Sequence, residues 1–171
     1  MQCRTVGDCQ SGYLNCTSNK CVCAIKSASN VLAAPGFDGA ASLGSWTGNA
    51  TYAAADADNC PGSGSVLLAN YGVYLQQCLA IGGGVTYNFG VRYKGRVNCG
   101  VTYHGVAGCA DPDPSQGPTE SDSTGTSIWT PSGHYGAKTP VWAVSLLVKC
   151  DTIMGDGNVD QVYVNTGTGY F

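Results

Sequence analysis

The sequence predicts an all-β protein that is held together by disulfide bonds. Apolar and polar residues alternate in short segments separated by turn residues, and the chain of 171 residues contains ten cysteines. Alternation with a period of two is typical of a strand with one buried and one solvated face. Only 11% of the residues are charged. This composition, rich in glycine and tyrosine, favours short strands over helices.

The clearest alternation runs over residues 85–94, where the apolar side chains occupy the odd positions. We therefore expect one face of this strand to be core and the other to be wet. In contrast, residues 110–127 are polar, proline-rich and without periodicity, and they are predicted to form a long surface loop. Further strands are predicted at 65–68, 74–79, 99–104, 144–149 and around Val162 and Val164.

The cysteines divide into two groups of five. Five lie within the first 23 residues, in a segment too short to build a core of its own, and they predict a disulfide knot over residues 1–27. Since five is odd, full oxidation requires a bridge between the groups. We predict the pairs Cys60–Cys78 and Cys99–Cys109, with Cys150 joined to the knot at Cys23. The spacing is compatible with other pairings.

Composition also restricts the surroundings and the partners. A net charge of −3 offers no field for a nucleic acid, and no apolar stretch of about 18 residues exists to span a bilayer. The disulfides indicate a secreted, extracellular protein. Asn15 and Asn49 lie in N-x-[ST] sequons and are predicted glycosylation sites.

Several motifs from residue 30 onward resemble carbohydrate-binding modules of the galactose-binding-like β-sandwich type, which bind xylan, glucan or cellulose. The similar stretches, in chain order, are Asn30–Asp38 (N-V-L-A-A-P-G-F-D), Leu43–Thr47 (L-G-S-W-T), Gly84–Gly90 (G-V-T-Y-N-F-G) and Asn158–Val164 (N-V-D-Q-V-Y-V). The chain departs from the family pattern at Ala34, where such modules carry asparagine.

The resemblance implies an antiparallel jelly-roll β-sandwich over residues 28–171, with the knot as an appendage. Such modules commonly hold a structural calcium ion between their opening and closing strands. The carboxylates at the matching positions are Asp38 and Asp160, and oxygen ligands suit this ion. Each aspartate would alternatively cap a turn by bonding backbone amides.

Sugar recognition needs an aromatic surface and a few hydrogen-bonding groups. Arg92 and His104 lie on the predicted wet face of their strands, and Tyr135 and Trp142 flank turn-rich segments from which an aromatic ring can project. These four residues are the predicted ligand contacts. The alternative for Arg92 and His104 is a solvated strand face without a ligand.

No catalytic centre is predicted. Glu120 and Asp122 lie in a segment with nothing to hold a fixed separation between carboxylates, and no G-x-S-x-G motif is present. The sequence therefore predicts a non-enzymatic, polysaccharide-binding protein that acts with an attached catalytic domain or a cell surface. The rival prediction is a structural subunit of an extracellular fibre or coat that assembles with copies of itself through strand edges.

Overall fold

The computed structural model describes residues 14–17, 20–23, 30–58, 63–112, 114–152 and 154–166, with side chains from residue 30 onward except 120–124. The predicted boundary between knot and sandwich, near residue 27, lies outside these ranges and stays a prediction. Within them, the helices are two short 3₁₀ turns, Ala40–Ser45 and Ala107–Cys109. None of the described helices is long and apolar enough to cross a bilayer.

Ten strands make up the described structure. Two of them, β1 (Leu14–Thr17) and β2 (Lys20–Cys23), form an antiparallel pair by themselves. The other eight form one antiparallel sheet: β3 (Thr47–Gly48), β4 (Thr51–Ala53), β5 (Ser65–Leu68), β6 (Tyr74–Ala80), β7 (Thr86–His104), β8 (Ser115–Lys138), β9 (Ser145–Asp151) and β10 (Gly157–Asn165).

This sheet curls into the two layers of a β-sandwich because β7 takes part in both. The first half of β7 pairs with β10, which continues to β5 and β4, and the second half pairs with β9, which continues to β6 and β3. The halves meet near Gly95, whose φ of 86° lies in the left-handed region that favours glycine. The predicted antiparallel β-sandwich is confirmed.

The core lies between the two layers and follows the predicted alternation from Phe89 onward, whereas Val85, at the start of the predicted strand, is exposed. Phe89, Val91 and Tyr93 are buried from the first half of β7, and Val97, Val101 and Tyr103 from the second half. Facing residues such as Val148 and Val164 belong to the same apolar cluster. Trp46 packs against Phe37, with ring centroids 5.5 Å apart, and closes the core beside the first 3₁₀ turn.

The predicted loop at 110–127 is wrong in large part, because β8 begins at Ser115 and continues to Lys138. The described part of β8 pairs with one strand only, β7. A strand on the edge of a sheet with solvent near both faces needs no alternation, and it tolerates proline because one row of its N–H groups has no partner strand. Pro118 and Pro131 stand in such a strand.

The predicted disulfide pairs are also wrong. Cys78 is bonded to Cys109, and Cys99 is bonded to Cys150. Cys99 and Cys150 are direct cross-strand partners on β7 and β9, with Cα atoms 4.0 Å apart, so neither is available to Cys109 or to the knot. Cys60 lies outside the described residues, and the side chain of Cys23 is not described.

Candidate functional site

Arg92 lies on the outward side of the first layer, but its guanidinium is bonded to neighbouring protein groups. Its guanidinium forms an ion pair with Asp58 and donates hydrogen bonds to Gln161 and to the carbonyl of Ala57. Gln161 in turn donates to Asp58. These bonds tie the segment after β4 to β10. The prediction that Arg92 stands on an open, wet face is therefore wrong.

His104 is also not on an open surface. Its side chain belongs to the outward side of the second layer by strand parity, yet only 4% of the residue is exposed. Both ring nitrogens are buried without a hydrogen-bond partner. The segment after β7 covers this end of the layer: Cys109 N donates to Ser145 Oγ, and Ser145 Oγ donates to the Val106 carbonyl. A covering segment of this kind is not readable from strand alternation.

Tyr135 and Trp142 are exposed, as predicted. Tyr135 lies on β8 next to Gly136, whose amide donates to Asn88 near the start of β7. Trp142 lies after β8, where its ring packs beside Gly105 at the opposite end of β7. Of the four predicted ligand contacts, Arg92 and Tyr135 accompany the first half of β7, and His104 and Trp142 accompany its end.

The two predicted calcium ligands differ in environment. Asp38 is exposed, whereas Asp160 is fully buried and accepts hydrogen bonds from the amides of Ala57 (3.0 Å) and Gln161 (2.7 Å). Burial, helped by the charge of Asp56, raises the pKa of Asp160 to about 8, against the opposing effect of those amides and of Arg92. The described side chains contain no group of three acidic, histidine or cysteine residues placed to hold a metal.

The two predicted glycosylation sites, Asn49 and Asn15, lie in different parts of the structure. Asn49 is exposed, and its side chain accepts a hydrogen bond from the Tyr74 amide at 2.9 Å. Asn15 lies in β1, where only the backbone is described. Glycosylation at both asparagines stays a prediction.

The second layer presents a polar outward surface, which we call the polar sheet face. On strands β6, β9 and β7 of this layer, side chains that point toward the core, such as Leu75, Val148 and Val101, are buried. Because successive residues of a strand point to opposite sides, the intervening positions face outward. The polar sheet face consists of Tyr74 and Gln76 on β6, Lys149 and Asp151 on β9, and Asn98 and Thr102 on β7.

The cross-strand register brings these side chains together. Gln76 lies opposite Lys149, which lies opposite Gly100, and Tyr74 lies opposite Asp151, which lies opposite Asn98. Gly100 has no side chain of its own, and the Thr119 side chain of β8 lies beside it, with Oγ1 3.1 Å from the position of a Cβ there. The arrangement is a shallow sheet surface with polar groups from three adjacent strands.

Direct contacts link four members of the face. Lys149 Nζ lies 2.9 Å from Asp151 Oδ2 and 5.6 Å from the centre of the Tyr74 ring. Asn98 Nδ2 donates to Asp151 Oδ1 at 3.1 Å. An aromatic ring, an ammonium, a carboxylate and an amide are thus collected within one partly exposed patch. These groups can stack on a sugar ring and bond its hydroxyls.

The sequence predicted the strands that carry the polar sheet face but not the face itself. Strands are predicted at Tyr74–Leu79 and, from its alternation, at Val144–Lys149. Alternation with a period of two does not show that β9 lies between β6 and β7. That strand order places Lys149 between Gln76 and Gly100. The strand order depends on long-range pairing.

Solved structures share this fold. A family 61 carbohydrate-binding module in complex with β-1,4-galactotriose matches with a TM-score of 0.54 and 18% identity, over 81% of this chain and 99% of that one. The C-terminal family 22 module of Clostridium thermocellum Xyn10B matches with a TM-score of 0.56 and 16% identity, over 74% and 88% of the chains. The resemblance inferred from the sequence is confirmed at the level of the fold.

A third similar structure has another setting. The enzymatically active domain of tailspike protein 4 from bacteriophage CBA120 matches with a TM-score of 0.56 and 13% identity, over 80% of this chain but 21% of that one. No protein-family model and no curated protein sequence matches the chain. Identities this low establish the β-sandwich fold alone, because a shared fold does not determine function.

Proposed function

We propose that this β-sandwich, whose fold is that of carbohydrate-binding modules, binds a polysaccharide without modifying it, and that the polar sheet face is the binding surface. The observation that carries the proposal is the patch of Tyr74, Lys149, Asp151 and Asn98 on three adjacent strands. A sheet surface several strands wide accommodates an extended chain of sugars, whereas a deep pocket would suit a single sugar.

The chemistry of the patch matches a pyranose ring. The Tyr74 ring offers an apolar surface for the C–H groups of the sugar. Lys149 donates hydrogen bonds, Asp151 accepts them, and the amides of Asn98 and Gln76 do both. Lys149 and Asp151 are partly solvated, so exchanging their water for sugar hydroxyls carries a smaller desolvation cost than in a buried pair.

The wider role of the chain follows from binding a polysaccharide without catalysing a reaction on it. The chain would hold an attached catalytic domain, or a cell surface, close to its polysaccharide. The two disulfides Cys78–Cys109 and Cys99–Cys150 support an extracellular setting, because such bonds persist in oxidising compartments. Glycosylation at Asn15 and Asn49 belongs to the same proposal and applies if the host glycosylates secreted proteins.

A structural calcium ion near Asp160 is also part of the proposal. Its support is a buried carboxylate with a pKa of about 8, because a bound cation would offset the cost of its negative charge. Asp38 is exposed, so it supports the proposed calcium site less strongly than Asp160 does. Since the described side chains assemble no acidic trio, backbone oxygens and water would supply the other ligands.

The test is a glycan array with the oxidised full chain, followed by titration calorimetry on any polysaccharide that binds. We expect Tyr74→Ala and Lys149→Ala each to weaken binding by about 1–2 kcal/mol through lost stacking and hydrogen bonds. Lys94→Ala, which removes the same charge from the other layer, is the control. Titration of Arg92→Ala, His104→Ala, Tyr135→Ala and Trp142→Ala tests the contacts predicted from the sequence.

Two outcomes would overturn the assignment. Saturable binding that survives Tyr74→Ala and Lys149→Ala would place the ligand elsewhere on the protein. Failure to bind plant, microbial or animal glycans, together with large species in sedimentation velocity, would favour the structural subunit of a fibre or coat.

A further inference from the structure

One end of the sandwich is formed by three mostly apolar loops. They are residues 81–85 between β6 and β7, 105–114 between β7 and β8, of which residue 113 lies outside the described part of the chain, and 139–144 between β8 and β9. In the sequence of these loops, the residues with a carboxylate, amide, hydroxyl or amine side chain are Asp111, Asp113 and Thr139. We call this end the apolar tip.

The three loops form one continuous surface. The Val144 amide donates to the His104 carbonyl, and the Ile81 amide donates to the Val144 carbonyl, at 2.9 and 3.1 Å. The Trp142 ring packs beside Gly105. Large apolar residues of all three loops are exposed: Val85, Val106, Val141, Trp142 and Val144, with Val141 at 82% and Trp142 at 46%. A contiguous apolar surface on a protein marks a site of interaction.

Several polar backbone groups at the tip are bonded within the protein. The amides of Gly84 and Ala143 donate to carbonyls at Thr139 and Pro140, and that of Thr139 donates to the Val85 carbonyl. The Val85 amide is bonded by the Thr139 hydroxyl, and the Gly105 amide by the Asp111 carboxylate. These bonds reduce the number of unsatisfied donors and acceptors that the tip would carry out of water, a cost that hydrocarbon imposes.

The surroundings of the tip favour a lipid surface over a sugar or a protein groove. The exposed Lys138 lies directly before the third loop, opposite Thr86, where its ammonium can meet a phosphate headgroup. Trp142 is of the residue type that concentrates at the membrane interface. A sugar would find almost no free side-chain donors or acceptors here. We propose that the apolar tip inserts shallowly into the outer surface of a lipid bilayer.

This contact is separate from the proposed glycan site. Tyr74, Lys149 and Asp151 lie on the sheet surface, and the tip lies on the loops beyond the strand ends. Insertion of loops to about 5–10 Å leaves the sheet in water. The protein would thus lie on a membrane while its sheet surface remains free for polysaccharide.

The experiment is co-sedimentation of the full oxidised chain with vesicles of equal parts phosphatidylcholine and phosphatidylglycerol. We expect binding that weakens about tenfold or more in Val141→Asp, because a carboxylate opposes entry into the lipid. Tryptophan fluorescence is read in a Trp129→Phe background, where the exposed Trp142 and the buried Trp46 remain. The Trp142 part of the emission is expected to shift to the blue and to be quenched by brominated lipid chains. Tyr71→Ala is the control, because Tyr71 is 84% exposed in the loop between β5 and β6.

Several results would overturn the inference. These are the absence of vesicle binding by the folded wild-type protein, equal binding by Val141→Asp, or a Trp142 emission that lipid leaves unchanged. A wild-type dimer that Val141→Asp dissociates, without vesicle binding, would instead assign the tip to a second copy of the chain. Circular dichroism of each variant verifies folding. Glycan titration of Val141→Asp separates this proposal from the first, since sugar binding is expected to be unchanged.

Discussion

Cys99 and Cys150 face each other across β7 and β9, and the bond between their sulfur atoms lies within the core. Replacing both with alanine removes a cross-link that spans 51 residues of sequence. We expect the free energy of unfolding to fall by about 2–4 kcal/mol in urea titrations. The double variant Cys78→Ser/Cys109→Ser is a useful comparison, because its bridge lies toward the surface. A Cys99→Ala/Cys150→Ala protein as stable as wild type would contradict the expectation.

The two assigned bridges also change the count of the remaining cysteines. Cys60 and the five cysteines of the first 23 residues are left. Because five is odd, a fully oxidised chain must join Cys60, and not Cys150, to one of them. Proteolysis without reduction, followed by mass spectrometry, should recover that linked peptide. Cys60→Ser should then expose one thiol to maleimide, and an alkylatable Cys60 in the wild-type chain would refute this.

Asp160 makes stability depend on pH. Its pKa in the folded protein is about 8, above the ordinary value of 3.8, so the folded state binds the proton more tightly than the unfolded state. Stability from this group is complete below pH 4 and is lost as the pH rises through 8, at about 1.4 kcal/mol for each unit of pKa difference. Urea unfolding at pH 5 and pH 8 measures it.

The same unfolding experiment, repeated with calcium, tests the proposed metal site. If a calcium ion binds near Asp160, adding it should raise the unfolding midpoint at pH 8 more than at pH 5, because the ion competes with the proton for the carboxylate. Magnesium at the same concentration is the control for ionic strength. An identical pH profile with calcium and with chelator would remove calcium from the proposed function.

Arg92 is expected to matter for stability. Arg92→Ala leaves Asp58 without its ion pair and removes the positive charge that favours ionised Asp160. Breaking a mostly buried pair of this kind costs roughly 3–5 kcal/mol. Lys94→Ala, on the same strand, should cost less than about 0.5 kcal/mol. Thermal unfolding compares the two, and an unchanged melting temperature for Arg92→Ala would show that the network carries little energy.

Gly90 offers a test of packing on the outward side of the first layer. A Cβ at this position would lie 2.4 Å from the ring of Tyr163, whose side chain crosses the strand there. Gly90→Ala should therefore destabilise the fold by about 1–3 kcal/mol through overpacking. Gly44→Ala is the matched control, because a Cβ there meets nothing within 4 Å. Equal melting temperatures for both variants would show that the Tyr163 ring can move aside.

Local pattern predicted local structure well in this chain. The strands at 65–68 and 74–79 match β5 and β6 almost residue for residue. The prediction for segment 115–138 was wrong because this strand is fixed by its pairing with β7, and its own sequence does not alternate. The predicted environments of Arg92 and His104 were wrong for a related reason: the segment with Asp58 covers Arg92, and the segment after β7 covers His104. Strand parity carries no information about such segments.

The nitrogen Nε2 of His134 lies 3.2 Å from the carbonyl oxygen of Thr119, although 15 residues separate them on β8. A straight strand would place these residues about 50 Å apart, so β8 folds back with the two layers. A bent edge with Pro118 and Pro131 is a poor template for another molecule, because a growing cross-β stack requires a straight row of free donors and acceptors. The curvature that builds the sandwich therefore also protects its longest edge from polymerising.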